Sequence, residues 1–172
     1  IFGGGVIIAV IASGIVYDTS AFLDEFGQTR IIEIWDQTIG NGENTYGFNR
    51  GTFYTDSQIN AAINAPDFRE RYEIVPSRDY SGHGTHVASI CAGRNGVAPE
   101  AELIVVKLGD TRERGFPRTT QMMTALQYVI STSSKLTKPV AINISYGHNY
   151  GDHRGNSLLE TFVSQIAGQW KC

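Results

Sequence analysis

Val6-Ile7-Ile8-Ala9-Val10-Ile11 is an unbroken apolar run, mostly β-branched, closed by Ser13-Gly14. With no polar residue alternating through it, neither face is suited to water, which is the pattern of a strand buried on both sides in a parallel sheet. Leu103-Ile104-Val105-Val106-Lys107-Leu108 and Val140-Ala141-Ile142-Asn143-Ile144-Ser145 repeat it. Apolar stripes at helical spacing alternate with these runs. They are Val87, Ile90 and Cys91 within Thr85 to Ala92, then Met122, Met123, Leu126, Val129 and Ile130 ahead of Pro139, then Leu158, Leu159, Phe162, Val163 and Ile166. The order strand, helix, three times over, predicts an α/β fold: a mostly parallel sheet flanked by helices, with right-handed crossovers.

Residues 24–78 interrupt this rhythm with an aromatic, glycine-rich insertion. Within it, Thr29 to Trp35 reads as a half-buried strand and Gly40 to Arg50 as a loop. Thr55 to Asn64 reads as a short helix capped by Thr55 or Asp56, with Ile59, Ala62 and Ile63 inward. No linker-like segment occurs in the insertion, so it is expected to pack on the same domain. The 172 residues, 41% hydrophobic, suffice for one domain with a sizeable core. Fourteen Lys and Arg against 17 acids, a net charge of −3 with no basic run, argue against a nucleic-acid or anionic-membrane partner. The longest apolar stretch, Val6 to Ala12, is too short to span a bilayer, so a soluble protein is expected. No charged segment precedes it as in a secretory leader. Two cysteines, Cys91 and Cys172, make no disulfide framework.

The segment Ser81-Gly82-His83-Gly84-Thr85-His86-Val87-Ala88 carries the chemistry. Glycines on both sides of His83, at the start of a helix, let backbone pass close to the imidazole and leave one face open, the setting of a general base. His148 and His153 lack such a context and read as structural or surface-exposed residues.

His83 to Ala88 resembles the His-Gly-Thr-His-Val-Ala segment of the subtilisin-like serine peptidases, the subtilases, whose first residue is the catalytic histidine. Gly96-Val97-Ala98-Pro99-Glu100-Ala101-Glu102-Leu103 is similar to that family's entry into its next strand, and Asn143-Ile144-Ser145-Tyr146-Gly147 to its substrate-flanking strand. Val10-Ile11-Ala12-Ser13-Gly14-Ile15 resembles the segment that holds its aspartate. Thr29-Arg30-Ile31 and Ile34 to Ile39 are similar to the clostridial branch related to germination-associated Csp proteases. The resemblance implies a subtilisin-like sheet and a serine endopeptidase acting through an Asp/His/Ser triad, without a cofactor. His83 would be the general base. Ser145, Tyr146 and Gly147 would pair through their backbone with an extended peptide or protein substrate, and the loop Gly109 to Gly115 would form the opposite wall. Relatives are extracellular or spore-associated, so the resemblance suggests either location.

Three departures qualify it. Ala12 stands at the family's aspartate position, so nothing there can accept the imidazole N–H. In serine peptidases of this mechanism, loss of the orienting aspartate lowers turnover roughly 10⁴-fold, about 5.5 kcal/mol of barrier. Asp18 and Asp79 are the nearest alternative carboxylates in sequence, and capping or turn formation is the commoner task at the Asp79 position. No Gly-Thr-Ser-Met-Ala-like segment supplies a nucleophile, and the landmarks run out before the oxyanion asparagine. The chain is therefore expected to be the N-terminal part of a subtilase domain, not competent alone and completed by the remaining C-terminal part, with an unpaired sheet edge at Val140 to Ser145. A natural pseudoprotease or peptide-binding module is the alternative. Cys91 belongs to a helical stripe and reads as a small core residue. The link Ala92 to Val97 is too short for the calcium loop of many subtilases, and His83 with His86 lacks a third ligand, so no metal is expected. Gly3-Gly4-Gly5 precede a strand rather than follow one, against a phosphate loop.

Overall fold

The computed structural model describes residues 2–40, 47–48, 50–109, 116–147 and 151–170. The three branched runs become β1 (Ile7–Ala12), β4 (Glu102–Lys107) and β5 (Val140–Ile144), with β1 parallel to both of the others. The insertion supplies β2 (Ile31–Asp36), parallel to β4, and β3 (Thr52–Thr55), antiparallel to β2. Five strands thus lie in the order β3-β2-β4-β1-β5. The mostly parallel α/β sheet expected from the sequence is present, and the insertion extends it rather than merely packing on it.

Strand side chains alternate between two apolar layers, as the two-residue period requires. Ile7, Ile11, Ile104 and Val106 join Met122, Leu126 and Val129 of α4 (Thr119–Leu136) and Ile166 of α5 (Leu158–Trp170). Val10, Ala12, Leu103 and Val105 face the other way, against Ile59 and Ala62 of α1 (Asp56–Ile63) and Ala88 and Ala92 of α3 (His83–Ala92). Fully burying each large aliphatic side chain contributes about 1.5–3 kcal/mol. These two layers leave both sheet faces covered by helices.

Two local expectations are corrected. The buried stripe of α3 is Gly84, Ala88 and Ala92, whereas Ile90 is 55% exposed and Val87 and Cys91 are only half-buried. Small residues face β1 because the helix lies so close to the strand that longer side chains do not fit. Secondly, α2 (Phe68–Ile74) and β3 were not foreseen. The helix buries no residue fully, so it has no apolar stripe to read, and four residues are too few to establish a strand period. α1 begins as expected. Thr55 is its N-cap, its hydroxyl accepting from the Gln58 N–H while the Gln58 side chain accepts from the Thr55 N–H at 2.9 Å. Among the described residues, no helix is long and apolar enough to cross a membrane.

Candidate active site

β1, β4 and β5 end together on one side of the sheet, where parallel strands place their binding sites. Beyond Ala12 the chain turns through Ser13-Gly14, and the first turn of α3 sits directly on that turn. A Cβ on Gly84 would lie 2.2 Å from the Gly14 carbonyl oxygen and 3.2 Å from the Ala12 Cβ. Only glycine allows this approach. Gly82, the N-cap, takes the left-handed conformation with φ of 74° and turns the chain into the helix.

Asp79 anchors this junction. Its side chain is nearly buried. Oδ1 accepts from the Ser13 hydroxyl at 2.9 Å and the Gly82 N–H at 3.1 Å, while Oδ2 accepts from the Thr85 N–H at 2.8 Å and the Thr85 hydroxyl at 2.7 Å. Ser81 Oγ lies 3.1 Å from Oδ1, and Ser13 Oγ accepts from the Gly84 N–H at 2.9 Å. Orphan amides at the start of α3 are thereby satisfied. Burial by itself would raise the Asp79 carboxyl, but the bonds from Thr85, Ser13 and Ser81 outweigh it and hold the group below its ordinary range.

His83 is exposed, and its Nε2 lies 3.2 Å from the carbonyl oxygen of Ser145. Ser145 follows β5 and donates its N–H to the Ile11 carbonyl at 3.1 Å, so the strand ladder fixes its position. The Asn143 amide donates to Ser145 Oγ at 2.7 Å. Tyr146 meets Phe116 edge-on with ring centroids 5.2 Å apart, and Gly147 is exposed with no atom within 4 Å of the place a Cβ would take. The fold thus gathers Ala12, His83 and Ser145 at one point. Neither alternative carboxylate reaches the imidazole. Asp18 pairs with the Arg71 guanidinium at 2.8 Å and lies 3.4 Å from the Tyr72 hydroxyl, and Asp79 is occupied as described.

Lys107 escaped the sequence reading although it is the one charge in an otherwise apolar run. It pairs in register with Ala12, donates to the Arg78 carbonyl at 2.6 Å and lies 3.7 Å from buried Asp36. Asp36 in turn accepts from Ser77 and Thr38, which ties the ends of β2 and β4 beneath the site. His86 and His153 are exposed, and no cluster of three or more His, Cys, Asp or Glu gathers among the described residues. His148, Cys172 and residues 110–115 of the expected opposite wall lie outside the described residues. Chemically, the arrangement offers an accessible imidazole beside a strand end, with the Ala12 methyl at the end of β1 packed under the same helix turn.

A sequence model described as the subtilase family matches residues 3–170. The solved CspB protease of Clostridium perfringens superposes with a TM-score of 0.83 at 34% identity, over 96% of this chain and 34% of that one. Tripeptidyl-peptidase 2 of Drosophila melanogaster is 30% identical over 144 residues, covering 78% of this chain and 10% of its own length. The subtilisin-like protease SBT3 of Solanum lycopersicum is 28% identical over 86% of this chain and 20% of its own. The chain therefore spans a tenth to a fifth of these two curated relatives and about a third of the clostridial protease.

Proposed function

The chain belongs to the subtilase family, and from that premise we propose that it forms the base-bearing and peptide-binding part of a serine peptidase site whose hydrolytic step is suppressed at Ala12. His83 is the base, Ser145 to Gly147 the backbone edge that receives an extended peptide, and Ala12 the lost orienter. The serine nucleophile and oxyanion donors belong to segments outside these 172 residues. The observation that carries this reading is the convergence of His83 on Ser145 and, through Gly84, on Ala12.

Such a site keeps peptide recognition, which rests on main-chain pairing, while the chemical step lacks the group that fixes the imidazole tautomer and stabilises the imidazolium. The test uses the intact protein and an extended peptide substrate. Ala12→Asp is expected to raise kcat by up to about 10⁴-fold with little change in KM, and His83→Ala in that background is expected to remove the gain. An Ala12→Asp protein no more active than the parent refutes the assignment of position 12. A gain that survives His83→Ala refutes the assignment of the base.

A further inference from the structure

Arg78 carries a guanidinium that has no hydrogen-bond acceptor and no carboxylate partner among the described residues. Its Cζ lies 4.0 Å from the centroid of the Tyr72 ring and 5.1 Å from that of Phe68, and the two ring centroids are 4.7 Å apart. Ring faces attract the charge and hold the side chain from one side, but they leave the N–H fork without a lone pair to donate to. The residue is half-buried, so water reaches the charge only in part. Carboxylates of the segments packed near it are committed elsewhere. Asp18 pairs with Arg71 at 2.8 Å, Asp36 accepts from Ser77 at 2.6 Å, and Asp79 accepts from Ser13, Gly82 and Thr85.

The main chain beneath this side chain is pinned. Ser77 and Asp79 on either side are buried and bonded, and the Arg78 carbonyl accepts from Lys107 at 2.6 Å. That carbonyl also lies 3.1 Å from the place a Cβ on Gly14 would take, so Arg78 abuts the same Ser13–Gly14 turn that the first turn of α3, bearing His83, covers. A planar fork of N–H donors, fixed in advance and lacking an acceptor, matches a carboxylate, which it binds through two parallel bonds. We propose that Arg78 is a carboxylate-binding site that takes an Asp or Glu side chain of the substrate, so that acidic peptides are favoured. The proposal rests on the reading of the His83 region as a peptide site. It adds the chemical class of side chain that the peptide carries.

The test uses the intact protein and extended peptides with amidated C-termini, in which a single Glu, or Gln of the same shape, is moved along an otherwise neutral sequence. Affinity is read by fluorescence anisotropy. At one position Glu is expected to bind about tenfold more tightly than Gln. Arg78→Met is expected to erase that difference, and Arg78→Glu to favour Lys at the same position, which also shows that the variant keeps its fold. Equal affinities for Glu and Gln at every position overturn the proposal, as does a Glu preference that survives Arg78→Met. A preference for a free C-terminal carboxylate with none for an internal Glu overturns the side-chain assignment. If no extended peptide binds, the Nε–Hε resonance of Arg78 decides, assigned by its loss in Arg78→Met. It is expected to shift saturably with the α-amide of N-acetylglutamate and not with that of N-acetylglutamine, and a resonance that does not respond overturns the proposal. The two readings fail separately. Peptide binding without a Glu preference sinks the carboxylate site and leaves the peptide site standing, and a saturable shift in a protein that binds no extended peptide does the opposite.

Discussion

Gly84 and Asp79 decide, residue by residue, how close His83 comes to the end of β1. Gly84→Ala would force a methyl into the Gly14 carbonyl, so a loss of 3 kcal/mol or more is expected, roughly the cost of severe overpacking, measurable by urea unfolding. Asp79→Asn replaces one acceptor oxygen with an amide that faces donors. A loss of roughly 2–3 kcal/mol at neutral pH is expected. The Asp79 carboxyl is held below the ordinary aspartate value of 3.8, so its contribution is fully present above that value and disappears as the pH falls through the folded value. Urea titrations of parent and Asp79→Asn are therefore expected to differ at pH 7 and to converge in acid. A gap that stays constant with pH would place the effect in packing rather than in the ionised carboxylate. The placement of Ala12 at the end of a strand and of His83 at the start of a helix was legible in the sequence because a short motif surrounds each. The identity of Asp79's partners was not, since Ser13 lies 66 residues away along the chain.

At the scale of elements, β1, β4 and β5 could be read directly, because an apolar run without alternation has few ways to be satisfied except between two layers. The start of α1 was legible for a different reason, since its capping box is local. Thr55→Ala removes the hydroxyl that accepts from the Gln58 N–H, with an expected cost of about 1 kcal/mol in thermal or urea unfolding. α3 was recognised as a helix but its face was not. Hydrophobicity points to Val87, Ile90 and Cys91, yet contact distance with β1 selects Gly84, Ala88 and Ala92. Where two backbones approach closely, small volume outranks apolar character.

At the scale of the whole molecule, β5 has β1 as its sole partner among the described residues. An open strand edge is a template for pairing with another chain. Residues 1–172 produced alone are expected to self-associate in sedimentation experiments, and Ala141→Lys, at an exposed β5 position, to reduce that association. A monomer at all accessible concentrations would show that this edge is covered. The sequence by itself determined four of the five strands, the helix bearing His83, and the alanine at position 12, because periodicity and short motifs are properties of neighbouring residues. Only the tertiary structure decided that Gly84 packs on the end of β1 at Ala12, that Asp79 ties Ser13 to the start of α3, and that the His83 imidazole meets the Ser145 carbonyl. These long-range hydrogen bonds join residues 62 to 71 positions apart, and they depend on the β1–β5 register and on the clearance between α3 and the sheet.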